Sequence, residues 1–208
     1  MHKLFRISAL AALALGATAL TAQAQAKKTF GAVAGVDFAN VTGTDVSDGT
    51  STLTGFMGGL FFGIPAGTSL VIEPEVLYAM KGAKYDNVDY TGTYNLNYIE
   101  IPVLLKYNFK PEGGPYILAG PSVGFSISCN DTGTINETST TYDETCESQG
   151  ATANTTFGGI LGLGFSKGHL GIEGRYDFDF GDALQLTATG TNLKFKNNVW
   201  AILLRFTK

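Results

Sequence analysis

Tyr98-Ile99-Glu100-Ile101-Pro102-Val103-Leu104-Leu105-Lys106-Tyr107 is the stretch that decides the fold. Ile99, Ile101, Val103, Leu105 and Tyr107 share one parity, which Phe109 continues. Glu100, Pro102 and Lys106 occupy the other. A period of two predicts a strand with unlike faces. Tyr94, Leu96 and Tyr98, ahead of Ile99, have the parity of Glu100. A bulge near Asn97 or an inward aromatic cluster would account for that.

The pattern recurs outward in both directions. Apolar faces are Phe30 to Phe38, Phe56 to Ile64, Leu70 to Met80, Ile117 to Ile127, Phe157 to Phe165, Leu170 to Phe180 and Trp200 to Phe206, each at every second residue. The opposite faces carry Gly, Ser and charge. Eight strands result. Their connectors alternate: residues 41–54, 83–93, 129–154 and 181–195 read as long, and 65–68, 110–114 and 167–168 as short. Tight turns on one side and long loops on the other are the plan of an all-β, up-and-down antiparallel barrel in an outer membrane.

A soluble barrel would bury the apolar face instead. The composition favours the membrane. Charged residues are 15%, against the ~25% of soluble domains, and Gly is 27 of 208, nearly twice the ~7% norm. The formal charge of −4 shows no basic excess for nucleic acid. Aromatics bracket the apolar faces. Phe30 and Phe38 are eight residues apart, as are Phe157 and Phe165, which is ~26 Å along a strand. The apolar band between aromatic girdles is ~25 Å tall. The girdle is expected from Phe30, Phe38, Tyr78, Tyr107, Phe157, Phe165, Trp200 and Phe206.

The first 26 residues read as a secretory signal peptide. Lys3 and Arg6 precede an Ala/Leu run, and Ala24-Gln25-Ala26 is a small-x-small cleavage site, cut after Ala26. Residues 27–208 form the barrel domain, and loss of Lys3 and Arg6 takes the charge from −4 to −6. An exported chain meets an oxidising compartment, so Cys129 and Cys146 are expected to form a disulfide that ties an external loop.

Three motifs carry a family resemblance. Glu73-Pro74-Glu75-Val76-Leu77-Tyr78 is followed by Lys81-Gly82. The decisive strand above is the second motif. Tyr116-Ile117-Leu118-Ala119-Gly120-Pro121 is the third, and the strands at 159–164 and at Glu173-Gly174-Arg175-Tyr176 also match. Over residues 30–206 the chain resembles the outer membrane protein beta-barrel domain family, porin-like and also called the PorT family, common in Bacteroidetes and related Gram-negative bacteria. The chain departs from a strict terminal Phe, since Thr207-Lys208 follow Phe206. The resemblance implies an eight-stranded barrel of the small OmpA and OmpX size class, in the bacterial outer membrane, with both mature termini periplasmic. It implies no assigned activity.

The residues offer little chemistry of their own. The only His after the leader is His169, beside the turn at 167–168, the wrong end for outer-leaflet lipid chemistry. The acids Asp131, Glu137, Asp143, Glu144 and Glu147 lack EF-hand spacing and read as a solvated loop. No catalytic residue, cofactor or metal is expected. The polar parity places Glu73, Glu75, Lys81, Glu100, Lys106, Glu173, Arg175, Asp177 and Arg205 in the lumen. Two tiers follow: Glu73, Lys106, Glu173 and Arg205 near the turn end, and Arg175 facing Glu75 and Glu100 above. Eight strands leave an interior that side chains fill. The expected function is therefore structural or surface-interacting, with a plugged lumen; a narrow passive channel is the alternative. Expected partners are outer-membrane lipids and lipopolysaccharide, the barrel-assembly machinery, and an extracellular ligand for the loops, with the barrel a monomer.

Overall fold

The computed structural model describes residues 28–44, 46, 49–110, 113–186 and 192–208. The leader, its cleavage point at Ala26 and the start of the mature chain lie outside the described residues.

The described residues form β1 (Thr29–Gly43), β2 (Thr50–Ser51), β3 (Leu53–Pro65), β4 (Leu70–Asp86), β5 (Tyr90–Asn108), β6 (Gly113–Ile135), β7 (Thr140–Thr145), β8 (Ala151–Ala153), β9 (Thr156–Lys167), β10 (Leu170–Asp179), β11 (Leu184–Leu186), β12 (Asn192–Leu193) and β13 (Phe195–Thr207). Eight long strands pair antiparallel in chain order, β1-β3-β4-β5-β6-β9-β10-β13. The last returns to the first through the ladder that runs from Gly31↔Thr207 to Gly43↔Phe195. The eight long strands thus close into a ring, and β2 on β4 and β7 on β6 extend the sheet beyond it at the loop end.

Side-chain direction fixes its surroundings. The apolar parity faces out: Leu60, Leu163 and Leu204 are 67%, 67% and 68% exposed. Water would not tolerate such a continuous face. A bilayer requires it, and requires all backbone groups to pair within the ring. The other parity faces in. Val33, Met57, Phe61, Leu77, Ala201 and Leu203 pack one interior wall. Leu104, Tyr116, Leu118 and Ile160 pack another. The inward parity thus carries packed side chains on both walls.

The connectors differ from expectation in instructive ways. Residues 83–93 are a hairpin, with β4 and β5 paired as far as Asp86↔Thr91. Its turn is set by Asn87, whose Oδ1 accepts from the Tyr90 and Asp89 amides at 2.8 and 3.1 Å. Residues 129–154 are also structured: β6 runs on to Ile135 and pairs with β7. β8 joins β11 and β12 in a small second sheet. The tight turn is Gly168-His169, one residue later than expected, with Gly168 at φ 60°. The parity irregularity resolves as an inward cluster: β5 pairs with β4 without a break from Glu100 to Thr91, and Leu96 and Tyr98 are buried with Tyr94 packed against them. A bulge does lie opposite Asn97, but on β6. Asn97 pairs with Ser128 and Tyr98 with Ser126, leaving Ile127 as the extra residue. Tyr94, Leu96 and Tyr98 keep the inward parity of β5, and the extra residue turns Cys129 and Asp131 of β6 inward to meet them.

Candidate functional site

The nine lumen charges named above are each at most 7% exposed. Adjacent strands bring them together in a column. Near the turn end, Arg205 Nη2 donates to Glu73 Oε2, and Arg205 Nη1 lies 3.5 Å from Glu173 Oε2. The Arg205 guanidinium also stacks 3.5 Å over the Phe61 ring, and Lys106 Nζ sits 3.9 Å over Tyr116. One level up, Arg175 Nη1 and Nη2 donate to Glu75 at 2.6 and 2.8 Å, a bidentate fork. Its Nε donates to Glu173, which also accepts the Tyr116 hydroxyl at 2.8 Å. Higher again, Lys81 Nζ reaches Glu100, Asp177 and Asp179 at 2.5, 3.1 and 3.2 Å. One oxygen of each of these carboxylates lies within 4.8 Å of the others, and the ammonium holds the position a cation would take among them.

This corrects the expected pairing. Arg175 faces Glu75 and Glu173, and Glu100 belongs to Lys81. Barrel shear decides which residues share a level, and parity carries no information about shear. Three further polar residues belong to the upper cluster or its margin. Asp179 ion-pairs with Lys81, Asn197 Nδ2 donates to Asp179 at 3.2 Å, and Asp37 is fully buried on β1. The parity of Asp37 and Asp179 was the available signal.

The two ends of the column differ. At the loop end, Leu96, Tyr98, Cys146, Ala151, Ala183 and Leu184 form an apolar cap. At the turn end, a vestibule of about 580 Å³ leads in to Glu73, Lys106 and Arg205. His169 sits in the turn beside it, exposed, its Nδ1 2.7 Å from the Thr207 carbonyl.

Cys129 and Cys146 are bonded, with Cα atoms 5.4 Å apart. The bond staples the base of the β6–β7 hairpin, directly below the Asn130↔Thr145 pair. Of the acids expected in a solvated loop, Asp131 is buried instead, at 8% exposure. Its Oδ1 accepts from the Tyr85 hydroxyl at 2.5 Å and its Oδ2 from Gln149 Nε2 at 3.0 Å. These groups line a cleft of about 510 Å³ with Tyr90, Tyr94, Tyr142 and Glu144. Burial, with Asp131 and Tyr142 adding, pushes the Tyr94 phenol up to about 12. The eight girdle aromatics all lie on the outward parity. Phe30, Tyr107, Phe165 and Phe206 sit toward the turn end, and Phe38, Tyr78, Phe157 and Trp200 toward the other. Tyr176 packs against Trp200 at 4.6 Å between ring centroids, the rings tilted by 35°.

A closed, lipid-facing ring with buried charges on its inner parity is an outer-membrane β-barrel. The model of the outer membrane protein beta-barrel domain family matches residues 21–185, and the chain belongs to that family. Its fold is similar to Neisserial surface protein A, at 10% identity and TM-score 0.49, covering 85% of this chain and 96% of that one. The attachment invasion locus protein Ail of Yersinia pestis is similar at 12% identity and TM-score 0.49, with 88% and 100% covered. OprG of Pseudomonas aeruginosa is similar at 15% identity and TM-score 0.46, with 86% and 95% covered. The comparison with curated proteins found no match.

Proposed function

We propose that the protein is a non-catalytic barrel of structural or surface-interaction type, closed along its axis, that presents its long hairpins outside the cell. The observation that carries this reading is the lumen column. Lys81, Arg175 and Arg205 are each at most 2% exposed and each is held by at least two carboxylates. An ion pathway would need water where these side chains stand. The quoted motifs support placing it with the porin-like PorT-type members of Bacteroidetes. Export by a leader cut after Ala26 accords with a barrel whose Phe30 and Lys208 backbones pair at the turn end, the periplasmic side in this reading. Outer-membrane lipids and lipopolysaccharide then cover the apolar face, the assembly machinery inserts it, and the ring, closed on itself, works as a monomer.

A narrow passive channel is the second reading, favoured by the 580 Å³ vestibule. Planar-bilayer conductance separates the two. The closed reading expects no steady current from the wild type and new current from Arg175→Leu. Steady single-channel current in the wild type would establish the channel.

A further inference from the structure

The cleft at the loop end has a built floor. Cross-strand register aligns Tyr85, Gly92, Gly133 and Tyr142 in one row over β4, β5, β6 and β7. The two glycines are what let the outer tyrosines meet. A Cβ on Gly92 would lie 2.4 Å from the Tyr85 hydroxyl, and one on Gly133 2.9 Å from the Tyr142 hydroxyl. Across this trough the Tyr85 and Tyr142 hydroxyls are hydrogen-bonded to each other. The next row is Ala83, Tyr94, Asp131 and Glu144. Tyr85, Tyr90, Tyr94 and Tyr142 therefore line one concavity together with Asp131 and Glu144.

Its charge is unbalanced. Asp131 is buried, and its two oxygens are held by a phenol and an amide, which are neutral donors. Glu144 adds a second negative charge at the wall. Asp86, Asp89, Glu137, Asp143 and Glu147 stand on the same hairpins, against Lys84. A negative field in a ring-lined concavity attracts a positive ligand, and aromatic faces hold weakly hydrated cations best. Guanidinium fits less well, because Asp131 has no free pair of oxygens for its fork. A quaternary ammonium needs no acceptor at all.

We propose that this cleft is a binding site for small organic cations with a quaternary ammonium head, of the choline class. The site rests on the reading of this end as the outer one only for its access to ligand; binding itself does not depend on it. A phosphodiester beside the ammonium would meet Glu144 and Asp131, so the free cation is the ligand, not a lipid head group.

The test uses the full barrel refolded in a tetraethylene glycol octyl ether micelle, which carries neither choline nor sugar. Amide shifts of Gly92 and Gly133 are followed during titration. Choline is expected to give a saturable shift. Its neutral isostere 3,3-dimethylbutan-1-ol and glycerophosphocholine should each bind at least tenfold more weakly. Glu144→Gln and Tyr142→Leu should each weaken choline about fivefold or more, and Tyr142→Phe, which keeps the ring, less than threefold. An isostere that binds as well as choline, glycerophosphocholine that binds better, saturable binding of N-acetylglucosamine without choline, or no saturable choline shift would overturn the proposal. Labelling of the hairpins on intact cells tests their outer placement separately.

Discussion

Arg175 is a full positive charge with 1% exposure, and two carboxylates depend on it. Removing one partner from a buried ion pair costs ~3–5 kcal/mol, chiefly because the other charge is stranded. Arg175→Leu is therefore expected to lower the urea-unfolding free energy by about that amount. Arg175→Lys, which keeps the charge but loses the fork to Glu75, should lose less. A leucine variant within ~0.5 kcal/mol of wild type, the scatter of ordinary surface substitutions, would mean that water screens these charges. Gly164 supports the same network from the wall. A Cβ there would lie 2.4 Å from Cζ and Oη of Tyr116, whose hydroxyl bonds Glu173. Gly164→Val should cost ~1–3 kcal/mol, and the part owed to the ring should vanish in a Tyr116→Ala background, leaving the clash with the Ile172 carbonyl, 2.7 Å from the same Cβ. Full additivity in that double-mutant cycle would separate the glycine from the network. The lumen set was legible because parity assigns a face residue by residue. The pairing of Arg175 was not, because neighbours across a tilted ring are set by shear.

Elements show where alternation stops informing. Beyond Met80 the outward parity of β4 holds Gly82, Lys84 and Asp86, with no apolar side chain, while the inward parity mixes Lys81 with Ala83 and Tyr85. The contrast between odd and even positions fades, although the ladder continues to Asp86↔Thr91. Residues 83–93 thus look like a loop in sequence and pair as strands. The same holds for β6 past Ser128, where the extra residue Ile127 also reverses parity. No apolar period marks that reversal, and the inward Tyr94, Leu96 and Tyr98 belong to the regular strand β5 beside it. The Cys129–Cys146 bond sits at this base, with a sequence separation of 17. In the chain-entropy picture it is worth ~3 kcal/mol, and here that stabilisation falls on the hairpin, since the ring closes without it. Cys146→Ser should leave β1 and β13 amide protection unchanged. Amides of Thr140–Thr145 should exchange on the order of 100-fold faster, the equivalent of ~3 kcal/mol of local opening. Unchanged exchange in that hairpin would show that its own ladder and the apolar cap suffice.

At the scale of the whole molecule, closure is the property on which everything else depends. An open sheet in lipid leaves a row of amides and carbonyls without partners, each costing several kcal/mol. Here β13 supplies the last seam on both sides, pairing with β1 from Gly31↔Thr207 to Gly43↔Phe195 and with β10 from Leu170↔Phe206 to Phe178↔Asn198. It also carries Arg205 into the lumen and Trp200 and Phe206 to the two aromatic rims. A closed ring resists detergent at room temperature and opens on boiling. The full chain should therefore run compact on an unboiled gel and shift to its full length once boiled. Deletion of residues 195–208 should abolish the compact band, because it exposes two edges at once and leaves Glu73 without Arg205. Substituting Arg205 alone with Leu keeps both seams, so the compact band should persist at room temperature and be lost at a lower temperature than in the wild type. If the truncated chain still migrates compactly, the ring closes by another route and the β1–β13 seam is not what holds it. If Arg205→Leu abolishes the band outright, closure depends on the lumen charges as well as on the backbone ladder.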